Sequence, residues 1–192
     1  MPTTTQLYMA FANAACALSW FSCAIITVGA FPQCDEFWSV HRFVTAASVL
    51  STLELVHAYI GLTRSAPGNV ALFLGARSFV GLCVAPMEGC SPAYRYTAFI
   101  WGCGESVRLG CFAIDQLRTS RAVRSVRYTA GPICFPLGTA GEWTMLIQAS
   151  LNGRPALWAV VIGWVPGFAV LMKQLLAQRR KHFASKTEAK KL

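Results

Sequence analysis

Apolar residues fall in six long stretches separated by short polar segments. They run from about Leu7 to Phe31, Val44 to Leu62, Val70 to Pro86, Thr97 to Ile114, Tyr128 to Leu151 and Pro155 to Leu176. Each approaches the roughly 20 residues that a helix needs to cross a bilayer. The pattern predicts an all-α integral membrane protein, a bundle of six transmembrane helices whose short loops favour antiparallel neighbours. The first stretch is too long for a signal-peptide core and no Lys or Arg precedes it, so it is expected to remain as a span.

Composition points the same way. Of 192 residues, 55% are hydrophobic and 13% charged, against about 25% charged in an average soluble domain. Disorder requires low hydrophobicity and high charge and is excluded. An ordinary soluble globule of this size exposes about a third of its unfolded surface, more than so few charges can cover.

The net charge of +9 matters through its placement. Arg118, Arg121, Arg124 and Arg127 form one cluster, and Lys173, Arg179, Arg180, Lys181, Lys186, Lys190 and Lys191 crowd the C-terminus. With Arg64 they lie on one side of a six-span topology, and the opposite loops hold Asp35, Glu36, Arg42, Glu88, Arg95 and Arg154. The bias predicts that both termini are cytosolic. Residues 1–178 then form the six-helix membrane domain and 179–192 a basic, frayed cytosolic tail. Membrane lipid is an expected partner, and nucleic acid is not, because no nucleic-acid-binding motif accompanies the charge. The eight cysteines include no C-x-x-C pair, so zinc or thioredoxin-type chemistry has no support, and the reading includes no metal or other cofactor. Cys34 and Cys90 fall in lumenal loops, where an oxidising compartment would permit a disulfide.

Charges inside the spans carry the most information, since each costs at least about 2.5 kcal/mol at the bilayer centre and needs a partner or a polar cavity. Glu54 and His57 are three apart on segment two, as are Glu105 and Arg108 on segment four. That spacing puts each pair on one helix face and allows simple pairing within it. Arg77 lies in segment three. Glu142 lies in segment five with no basic residue beside it, so it needs a partner from another helix or a proton of its own. Gly131, Pro132, Pro136, Gly138 and Gly141 crowd around Phe135 in the same segment. Proline removes a backbone donor and kinks a helix, and such backbone is tolerated at membrane depth only where it is buried or lines a cavity. Close packing by small residues is the alternative explanation.

These residues resemble the very-long-chain 3-hydroxyacyl-CoA dehydratase family, also called protein tyrosine phosphatase-like A. The run from Leu53 through Glu54, His57 and Gly61 to Ser65 is similar to the family's LE-x-x-H-x-x-x-G-x-x-x-S signature. Arg77 resembles its following arginine, and Trp101, Glu105 and Arg108 its W-x-x-x-E-x-x-R segment. Arg127-Tyr128-Thr129 and then Pro136, Gly138 and Glu142 resemble its RYT…YPxGxxxE segment. Asn13 and Trp20 fit an N-terminal element. The resemblance implies a multi-pass enzyme of the endoplasmic reticulum membrane, a lyase that removes water from a 3-hydroxyacyl-CoA to give the trans-2-enoyl-CoA. It also implies elongase and reductase partners in the elongation cycle. The family's catalytic pair is a tyrosine and a glutamate seven residues apart. Glu142 matches the glutamate, and Phe135 stands where the tyrosine should be. Glu54, His57, Arg77, Glu105, Arg108 and Tyr128 are implied as substrate-binding or supporting residues.

Dehydration needs a base for the C2 proton, an acid for the departing hydroxyl and donors for charge developing on the thioester oxygen. Phenylalanine supplies no proton. One reading is an active dehydratase in which another hydroxyl, such as that of Tyr128 or Tyr59, replaces the missing one. A second is a catalytically impaired member that binds acyl-CoA or scaffolds the elongation complex. A third, a small transporter with buried charges along a path, lacks an internal repeat to support it.

Overall fold

The structure is a computed structural model that describes residues 2–29, 37–63, 65–89, 91–118 and 120–188, with side chains to residue 184. The described residues form six helices: α1 (Thr4–Gly29), α2 (Phe37–Tyr59), α3 (Pro67–Glu88), α4 (Pro92–Leu117), α5 (Arg121–Leu151) and α6 (Leu157–Glu188). Helices α1, α3 and the Leu157–Ala184 part of α6 are each long and apolar enough to cross a membrane. The other three carry the charges that lower their hydropathy.

Among the described residues each apolar stretch is helical for most of its length, but several helices run longer. Helix α2 begins at Phe37 and α5 at Arg121, each seven residues before the apolar pattern starts. Arg42 and Arg95, expected in loops, lie within α2 and α4. The tail from residue 179, expected to fray, continues as helix to Glu188, because its Arg, Lys, Ala and Glu residues are good helix formers. Helix α5 runs unbroken through Pro132 and Pro136. The irregular backbone sits instead in α3, where Phe79–Val84 form a π-helical segment directly after Arg77. Cys34, Cys90, Asp35, Glu36, Arg64 and residues 189–192 lie outside the described residues.

Helix α1 lies along α4, α4 along α5 and α5 along α6, while α2 packs on α1 and α3. Trp20, Tyr94, Met145, Leu146, Val44 and Val80 fill the centre. Small residues set the helix spacing. A Cβ at Gly102 would come 2.8 Å from both the Ala24 nitrogen and the Trp20 carbonyl oxygen of α1. A Cβ at Gly141 would collide with the Thr97 hydroxyl of α4. Both ends are tied by ion pairs: Asp115 of α4 accepts from Arg124 of α5 at 2.9 Å, and Glu88 of α3 from Arg154 at 3.1 Å. Helix α6 is peripheral, with no buried residue along its apolar window.

Candidate active site

Four of the charges inside the apolar stretches meet where α2, α3 and α4 converge. Arg108 makes a two-pronged contact with Glu54, 2.6 Å on each arm, and also holds Glu105 at 2.6 Å. Arg77 of α3 donates to Glu105 at 3.1 Å. Two carboxylates and two guanidiniums balance in charge, and Arg108 supplies the bidentate geometry that favours Arg in such pairs. Arg77 is also enclosed by aromatic faces, its guanidinium 4.4 Å from the Phe73 ring centroid, 5.0 Å from Trp20 and 5.4 Å from Trp101. These cation–π contacts stabilise a desolvated cation. The i,i+3 pair Glu105–Arg108 therefore forms as its spacing allows. Glu54 does not pair with His57. Its carboxylate is taken by Arg108, and the His57 ring meets the Tyr8 hydroxyl of α1 at 2.9 Å.

Glu142 is held differently. No ion pair within 4 Å reaches it among the described residues. The Trp101 indole N–H of α4 donates to Oε1 and the Trp164 N–H of α6 to Oε2, both at 2.9 Å. The two indoles fix the carboxyl from opposite helices and occupy one lone pair on each oxygen. Gly138 makes the first contact possible, since a Cβ there would stand 3.3 Å from Trp101 Cδ1. Trp101 thus lies between the two groups, with its ring face on Arg77 and its N–H on Glu142.

The Glu142 carboxyl lines a cavity of about 370 Å³ between α3, α5 and α6. That is near the lower end of ordinary ligand pockets, about 300–1,000 Å³. The walls are almost wholly apolar. Phe135 lines the cavity too, stacked on Phe168 of α6 at 5.3 Å between ring centroids and 6.3 Å from Phe73. Gly75, Gly163 and Gly167 also line it, and a Cβ on any of them would meet nothing within 4 Å. Their missing side chains leave space in the cavity rather than room for a neighbouring helix. Among the described residues, the polar side chains on the wall are Glu142, Thr139 and Trp164.

Phe135 and Glu142 thus share the cavity, while Glu54, Arg77, Glu105 and Arg108 form an ionic cluster that does not line it. Neither tyrosine suggested as a substitute reaches the cavity. Tyr59 is 82% exposed. The Tyr128 hydroxyl accepts from Arg127 at 2.7 Å, and its ring lies 4.9 Å from that of His182. Two participants were missed from sequence: Trp164, whose N–H needs an acceptor at membrane depth, and Thr139, one helical turn before Glu142.

The family model described as "Protein tyrosine phosphatase-like protein, PTPLA" matches residues 48–185 of the chain. The chain is also 26% identical, over 213 aligned positions, to the very-long-chain (3R)-3-hydroxyacyl-CoA dehydratase hpo-8 of Caenorhabditis elegans. The match covers 93% of this chain and 95% of that protein. No solved structure matches significantly.

Proposed function

This chain belongs to the protein tyrosine phosphatase-like protein family, and from that premise we propose that it is a very-long-chain 3-hydroxyacyl-CoA dehydratase of fatty-acid elongation. The observation that carries the reading is the Glu142 carboxyl, set in the wall of an apolar cavity and held only by neutral donors. A carboxyl so placed is free to exchange a proton with a substrate, whereas one locked to arginine is not. An apolar cavity suits an acyl chain, and α3, α5 and α6 provide its walls. Glu142 takes the C2 proton, the C3–oxygen bond breaks and water leaves.

The six helices each cross the membrane of the endoplasmic reticulum, with both termini in the cytosol. Tyr128 precedes Glu142 by fourteen residues, about 21 Å along the helix. The arginines at the start of α5 therefore stand at the membrane surface. They attract the CoA phosphates while the acyl end reaches the cavity. The 3-hydroxyacyl-CoA comes from a reductase and the product returns to a reductase of the same cycle, which makes elongase and reductase subunits the natural neighbours.

A dehydration assay on the purified protein in detergent tests this, with 3-hydroxyacyl-CoA substrates of several chain lengths. Wild type is expected to turn over, and Glu142→Gln to lower turnover by about 10²–10⁴-fold, the usual contribution of a positioned acid–base group. A folded wild type with no turnover at any length overturns the reading. Gain of activity only with Phe135→Tyr would then identify an impaired family member.

A further inference from the structure

The cavity that contains Glu142 and Phe135 has one hydroxyl on its wall, that of Thr139. Thr139 is 96% buried, with a relative exposure of 4%, and sits on α5 one turn from Glu142 towards Phe135. The i,i+3 spacing puts the two side chains on one helix face. Several other helical hydroxyls in this protein turn back onto their own helix, although that of Thr45 on α2 does not. Thr97 donates to the Ala93 carbonyl at 2.6 Å, Thr144 to Ala140 at 2.9 Å and Ser150 to Leu146 at 2.7 Å. Among the described residues nothing holds the Thr139 hydroxyl in this way. Its oxygen is not among the fully enclosed side-chain atoms that lack a partner, which leaves it open to the cavity that Thr139 lines. The unused hydrogen-bonding capacity faces the cavity.

We propose that Thr139 binds the 3-hydroxyl of the substrate and positions it beside Glu142, filling the place left by the phenol absent at Phe135. This rests on the dehydratase reading above. Threonine is too weak an acid to protonate a leaving group, so its part is to orient. The proton balance closes on Glu142 alone. Its carboxylate removes the C2 proton, and the C2–H electron pair becomes the second bond between C2 and C3. The C3–oxygen bond breaks, and the departing hydroxide takes the proton from Glu142 and leaves as water. Thr139 donates a hydrogen bond to that oxygen throughout and ends unchanged.

The test compares wild type, Thr139→Val and Thr139→Ser in detergent, recording kcat, KM and thermal unfolding with long-chain 3-hydroxyacyl-CoA. Valine keeps the shape and removes the hydroxyl. It is expected to lower kcat on the order of tenfold or more without lowering the unfolding temperature, while serine stays within about threefold of wild type. Unchanged kinetics in Thr139→Val overturn the proposal. So does an equal loss in both variants accompanied by a lower unfolding temperature, which marks a packing role. A folded wild type inactive at every chain length instead overturns the dehydratase reading. An active wild type with an equally active valine variant overturns this inference alone.

Discussion

The molecule contains two kinds of polar interior within one helix bundle. At the α2–α3–α4 junction, Glu54, Arg77, Glu105 and Arg108 are joined carboxylate to guanidinium. Between α3, α5 and α6, Glu142 has two indole donors and an open apolar cavity. The first arrangement neutralises charge; the second leaves a carboxyl available. Glycines divide the same way. Gly102 lets helix backbones approach and Gly141 makes room for the Thr97 side chain, whereas Gly75, Gly163 and Gly167 face empty space. Ionisable groups at membrane depth are therefore poor guides to chemistry when counted, and good guides when their partners are known.

Removing Glu105 should separate the two regions most sharply. Arg77 has its hydrogen bond to Glu105 alone among the described side chains, so Glu105→Ala leaves a buried cation without its ion-pair partner. A loss of about 3–5 kcal/mol of stability is expected, read as a lower unfolding temperature in detergent, with kcat per folded molecule kept within a few-fold. Lost turnover at unchanged stability would place the ionic cluster in the chemistry and erase the distinction. Gly141→Val comes next. Its side chain meets Thr97 across the α4–α5 contact, and overpacking there should cost about 1–3 kcal/mol. The smallest effect, and of opposite sign, belongs to Gly163→Ala and Gly167→Ala. Alanine adds up to about 1 kcal/mol of helix stability over glycine and meets no neighbour, so the unfolding temperature should hold or rise. The cavity shrinks, and turnover of the bulkiest substrates should fall first. An unfolding temperature lowered by either alanine would show that these glycines also serve packing.

Much of this was legible in the sequence. Apolar runs mark all six helices because the helix surfaces that leave water must be apolar, and helix ends are blurred because Arg121–Arg127 and the basic tail are helix formers in water as well. The grouping of Glu105 with Arg108 follows from spacing alone. The partners of Glu54 and His57 do not, because a three-residue spacing allows a contact without requiring it. Arg108 and Tyr8, arriving from other helices, outcompete it. Glu142 was recognisable as exceptional from its lack of a neighbouring base, but indole donors at Trp101 and Trp164 are a tertiary fact. Thr139 was invisible for a different reason. A threonine in an apolar helix ordinarily bonds to its own backbone, and only a cavity beside it gives the hydroxyl another use.

Trp101 joins what the comparison separates. Its ring packs on Arg77 and Trp20, and its N–H holds Glu142. Mutational effects in the two regions will therefore not add when Trp101 is one of the positions changed. Combining Trp101→Phe with Glu142→Gln should cost less activity than the two changes summed, because the second removes what the first was positioning. Phe135, whose ring contacts are aromatic neighbours at the cavity edge, is far less entangled. Epistasis then gives the site an uneven tolerance to drift: a change at 135 is felt once, in the cavity, while a change at 101 is felt in both halves of the molecule at the same time.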